Sequence, residues 1–115
     1  MTDELKQAWI DALKSGEFQQ GYGFLKRAEK FCCLGVLCEV MIARGANITR
    51  RLTDDEQEED KLITLYSGER SLLSEELLNL AGLSWDEQIV VMHKNDDTRS
   101  SFDEIAAYLK RNKTI

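Results

Sequence analysis

The feature that most constrains this chain is the run CCLGVLCEVMIA at 32–43, where only Gly35 and Glu39 interrupt apolar side chains. At this length a buried helix is favoured over a strand, and a helix that is apolar all round must be covered all round. The run is therefore expected to form the central helix of the molecule, over 32–44, with Gly45 as its stop. It also holds all three cysteines. Free cysteine behaves as a small buried hydrophobe, so packing alone accounts for them.

The segments around this run have the periodicity needed to cover it. Leu5, Ala8, Trp9, Ala12 and Leu13 form one stripe of an amphipathic helix over 3–15, capped by Thr2 and followed by Gly16. Further helices are predicted over 74–81, 85–93 and 102–111, opened by Ser74, Ser84 and Ser101. Glu87 and Glu104 stand at the capping-box position of the last two. Short β-hairpins are expected at about 24–34, turning near Ala28 and Glu29, and at 62–73, turning at Ser67 and Gly68. Between them, residues 50–61 carry six acids from Asp54 to Asp60 and read as an acidic solvated loop or a surface turn capped by Thr53. The expectation is one domain, 1–115, of predominantly helical α+β class, with Trp9 and Trp85 both in the core.

Charge narrows the range of functions. Fifteen Lys and Arg stand against 21 Asp and Glu, a net charge of -6. That balance opposes broad contact with nucleic acid or anionic membrane, where Lys and Arg supply the binding energy. The helix at 102–111 has a feel of DNA-reading helices, but Asp103 and Glu104 would meet the phosphates first. No segment has the length of a membrane span, and the acidic, amphipathic start is unlike a signal peptide. An odd cysteine count, with two adjacent, fits a reduced, cytoplasmic protein.

Two chemical sites deserve weighing. A thiol enzyme would use Cys32 at a helix start, Gln20 as an oxyanion donor and His93, the sole histidine, as base. No family signature surrounds these residues, and a core role for the cysteine is favoured, so no catalytic residue is assigned. Anion binding is the better small-ligand reading: Gln20, Gly21 and Gly23 would let backbone approach a ligand, with Lys26, Arg27 and Lys30 close by. The G-x-G spacing lacks a following G-K-[ST], so a tight turn beside solvated charges also explains it. For metal, Cys33 and Cys38 would point about 140° apart on a helix, and one histidine cannot complete a zinc finger. No metal or cofactor is expected.

Taken together, Trp9, Ala12-Leu13, Ser15-Gly16, Gln20-Gly21, Gly23, Leu25 and FCCLGVLC at 31–38 resemble the opening of small proteins common in tailed phages and prophages. Asn95-Asp96 and Ser101 to Ala106 match the second motif of that family. The resemblance implies a phage context and supplies no catalytic residue. The function expected is that of a small accessory protein binding a host or phage protein, through residues 19–30 and the acidic segment 54–60. The alternative is a nucleotide or other small-ligand binder, or a thiol enzyme, centred on residues 20–23 and Cys32. Oligomeric state is not legible.

Overall fold

A computed structural model describes residues 1–55 and 61–115. Its element order is α1 (Asp3–Lys14), β1 (Gln19–Gln20), β2 (Lys26–Arg27), β3 (Lys30–Phe31), α2 (Cys33–Ala43), β4 (Arg50–Asp54), β5 (Leu62–Tyr66), α3 (Glu75–Ala81), α4 (Trp85–Asp96) and α5 (Phe102–Arg111). The class is α+β, predominantly helical. A small mixed sheet has the order β1-β3-β2-β5-β4, with β1 and β3 parallel and the other pairs antiparallel.

The apolar run does form the centre. From Cys33 to Cys38 every side chain of α2 is buried, and α1, α4 and β3 pack on it. Helix α1 lays Leu5, Trp9, Ile10 and Leu13 into the same core and contacts α5 as well as α2. Trp9 is fully buried, and its indole N–H donates to the Cys33 carbonyl at 2.9 Å, one of the carbonyls low in the helix. Gly35 is where α2 meets the strand region. A Cβ there would overlap the carbonyl oxygen of Leu25. That carbonyl accepts from the Cys32 N–H at 3.2 Å, and the Leu25 N–H donates to Arg70 at 2.8 Å. Glycine at 35 therefore serves close approach of two backbones.

The helix starts follow their capping chemistry. Thr2, Ser74, Ser84 and Ser101 each accept from a first-turn N–H, and Ser84/Glu87 and Ser101/Glu104 are complete capping boxes. Helix α4, however, runs three residues beyond the predicted 93, to Asp96.

Four further expectations are corrected. The first hairpin exists, but β2 and β3 are two residues each, joined by a turn in which Ala28 takes φ 53°. The second does not form as predicted. Residues 62–66 are β5, but its strand partners are β2 and β4, and after the Ser67-Gly68 turn only the Tyr66–Glu69 bridge remains. The return segment instead gives the Leu73 N–H and carbonyl to the buried side-chain amide of Gln88, at 2.8 and 3.1 Å. One glutamine thus replaces a strand neighbour. Third, residues 50–54 are no loop or helical turn but strand β4, with Thr53 paired to Ile63. Of the acidic segment, residues 56–60 lie outside the described residues. Trp85 is 54 % exposed rather than in the core; it is the first residue of α4, whose buried residues are Gln88, Val91 and Asn95.

Candidate functional site

The last turn of α4 organises the region around the 20–23 loop. Asn95 is fully buried and uses its whole amide. Its oxygen accepts from Gln20 Nε2 at 2.9 Å and from the Cys33 N–H at 3.2 Å. Its nitrogen donates to the Gly21 carbonyl at 3.0 Å and to Asp96 Oδ1 at 2.7 Å. Gln20 Nε2 also reaches the Ser100 carbonyl at 2.8 Å, and Asp96 Oδ1 accepts from the Gly23 N–H at 3.1 Å. One side chain thereby ties the glycine loop, the start of α2 and the α4–α5 connection together. Gly21 is needed because a Cβ would meet Lys30 Cβ at 2.7 Å, and Gly23 because its φ is 83°.

The loop so held forms one wall of a cleft of about 490 Å³. The β2–β3 turn supplies a second wall, and Arg99 and Lys61 also line it. Among the described residues, four cationic side chains line it, Arg27, Lys30, Lys61 and Arg99, against one acid, Glu29. Two aromatics carry the arginines: the Arg99 guanidinium lies 4.3 Å from the Tyr22 ring centroid, and that of Arg27 lies 5.5 Å from Phe24. Arg27 is further held by the buried carboxylate of Asp55 at 2.6 Å. Arg99 takes φ 53° next to a residue tethered at both of its backbone groups, since the Ser100 N–H donates to the Lys94 carbonyl at 2.8 Å and the Ser100 carbonyl receives Gln20. Left-handed backbone at a non-glycine residue is costly and collects where function holds it. Two of the three such residues described, Ala28 and Arg99, line this one cleft.

Of the predicted ligand residues, Gln20, Gly21 and Arg27 line the cleft, while Gly23 and Lys26 do not. Lys26 points to the other sheet face, over the Phe31 ring. Sequence reasoning missed Tyr22, Lys61 and Arg99. Their convergence is a matter of tertiary structure, and only the cation and the aromatic within each local stretch are visible in the sequence.

The thiol set is not assembled. Cys32, Cys33 and Cys38 are all buried and free. Burial pushes the Cys32 thiol up to about 12, against the opposing pull of backbone hydrogen bonds, and raises Cys33 and Cys38 as well. Burial outweighs any benefit of the helix start at Cys32. His93 is exposed and pairs through Nδ1 with Asp97 at 2.7 Å, one turn along its own helix. Gln20 spends its N–H groups on Asn95 and Ser100. Among the described residues no cluster of three His, Cys, Asp or Glu is placed to hold a metal, and no helix is long and apolar enough to cross a membrane.

A second polar cluster joins α2 to the sheet. Glu39 receives Arg50 at 2.6 and 2.9 Å and the Tyr66 hydroxyl at 2.7 Å. Burial alone would raise the Glu39 carboxyl; the two hydrogen-bond donors and the Arg50 charge outweigh it and hold the group below its ordinary value. Tyr66 is raised by burial and by that carboxylate.

Comparison with curated proteins and with solved structures found no match in either. A match to a protein family spans residues 1–113, nearly the whole chain, and it takes in the glycine loop, Asn95 and Arg99 alike. The chain belongs to the family described as Domain of unknown function (DUF8296).

Proposed function

We propose that this protein is a small phage-type accessory protein that acts by binding, taking an acidic segment of a host or phage protein in the cleft beside the 20–23 loop. The observation that carries the reading is charge: in a chain of net charge -6, Lys30, Lys61, Arg99 and the Asp55-paired Arg27 line one cleft, with Glu29 the one acid among its described lining residues. Such a concentration steers and orients anionic groups. Arg99, stacked on Tyr22, presents its planar fork for a carboxylate, and stacking lowers the entropy lost when it binds. Binding without turnover is favoured because the thiols sit in the core and the polar groups around the loop are engaged with one another. The phage setting rests on the sequence resemblance.

The test is fluorescence anisotropy with a labelled poly-glutamate peptide and a poly-asparagine control. The glutamate peptide is expected to bind with strong salt dependence, and Lys30→Glu and Arg99→Glu are each expected to weaken it about tenfold or more. Equal binding of both peptides, or indifference to both variants, contradicts the reading. The cleft also has the volume of a small-ligand pocket, and Tyr22 is 38 % exposed. A nucleotide stacked on that ring is the second reading, favoured if nucleoside triphosphate binds and the glutamate peptide does not.

A further inference from the structure

Strand β4 ends the sheet, and its sequence is Arg50-Arg51-Leu52-Thr53-Asp54. The Ser67 N–H donates to the Thr49 carbonyl at 2.8 Å and the Asp55 N–H to the Lys61 carbonyl at 3.3 Å. In an antiparallel ladder the bonding direction alternates along the strand. The odd-numbered residues of β4 therefore face β5, and the N–H and carbonyl groups of Arg50, Leu52 and Asp54 point outward, where no other strand is paired among the described residues. Leu52 is 62 % exposed, and Leu62, on the same face of β5, is exposed beside it. A five-residue edge with an exposed leucine at its centre is an open template for another strand.

We propose that two copies of this protein pair through β4, antiparallel and centred on Leu52. That register sets Leu52 opposite Leu52, Arg51 opposite Thr53, and Arg50 opposite Asp54 at both ends. All three outward-facing residues of each copy then fall at hydrogen-bonded positions, which joins the two sheets into one. The charges are complementary in this register, whereas moving the centre to Arg50 or to Asp54 places like charges face to face. Glu39 holds two of the Arg50 guanidinium nitrogens at 2.6 and 2.9 Å, while the side chain stays 48 % exposed. The cationic cleft takes no part in this contact, so the two proposals stand or fall separately.

Sedimentation velocity of the full chain, from micromolar to millimolar, tests the proposal. The wild type is expected to pass from monomer to dimer. Leu52→Pro removes an outward N–H without touching a bond to β5, and Asp54→Arg puts like charges at both ends of the contact. Each is expected to weaken the dimer about tenfold or more, with an unchanged far-ultraviolet circular dichroism spectrum. Asp54 is exposed, so that variant reports even where proline disturbs folding. A wild type that stays monomeric at millimolar concentration, or a dimer that survives Asp54→Arg, overturns the proposal.

Discussion

The start of α2 and the cleft beside it share the 20–23 loop, yet they treat polar groups in opposite ways. Behind the loop, the Asn95 amide, the Cys33 N–H, the Gly21 carbonyl and the Gln20 amide satisfy one another in the interior. In front of it, Lys30 and Arg99 stand at a cleft where cations outnumber acids among the described lining residues. A buried polar network of the first kind is expensive to leave incomplete, so it fixes structure. A surplus of one charge around a concavity contributes little to stability and is suited to an outside group. The difference teaches where to look for function here: in front of the clamp and not at the sulfur atoms behind it.

The largest expected effect strikes the region behind the loop. Gly35→Ala forces a methyl group into the Leu25 carbonyl. Because the atoms it meets at Leu25 are backbone, no flexible side chain can give way, and a loss of about 3 kcal/mol or more is expected in urea denaturation. Next comes Asn95→Ala, which leaves the Cys33 N–H and the Gly21 carbonyl without partners. About 2–4 kcal/mol is expected, from a cost of about 1–3 kcal/mol per buried unsatisfied group. A loss below about 1 kcal/mol would mean that the clamp is not what holds the loop.

Acid titration gives a smaller, directional effect. The Glu39 carboxyl is depressed in the folded protein, so its contribution is fully present above the ordinary carboxylate value and is lost as pH falls through the folded one. Stability should therefore decline below about pH 4.5, and Glu39→Gln should flatten that part of the curve. A Glu39→Gln profile parallel to wild type would show that other carboxylates set the acid limb.

The smallest effect sharpens the comparison most. Arg99 holds φ 53°, which glycine adopts without strain. Arg99→Gly is expected to raise stability by about 0.5–1 kcal/mol, about 3 °C in Tm, while weakening the glutamate peptide. A variant that loses stability would place Arg99 among the structural residues instead.

How much of this was legible depends on the range of the interaction involved. The N-caps and capping boxes are local, and Ser84, Glu87, Ser101 and Glu104 announced them. The central helix was legible because a run with no polar face has one place to go. Asn95 stood out only as part of the Asn95-Asp96 motif, and its clamp role was not legible: Asn95-Asp96-Asp97 has poor helix propensity and falls past the predicted helix end, whereas the bonds that draw α4 onward come from residues some 75 positions away. Strand β4 was hidden for a related reason. Its polar sequence shows no alternation, and only pairing with β5 makes it a strand. The cleft needed Tyr22, Lys30, Lys61 and Arg99 to converge, which no local pattern records.

The central claim, that recognition lies in front of the clamp, is tested most directly by a ¹⁵N–¹H correlation titration of the folded protein with the poly-glutamate peptide. The account predicts saturable shifts at the amides of Tyr22, Lys30, Lys61 and Arg99, with Cys33 to Cys38 unmoved. Shifts centred on α2, or none anywhere at saturating peptide and low salt, would contradict it.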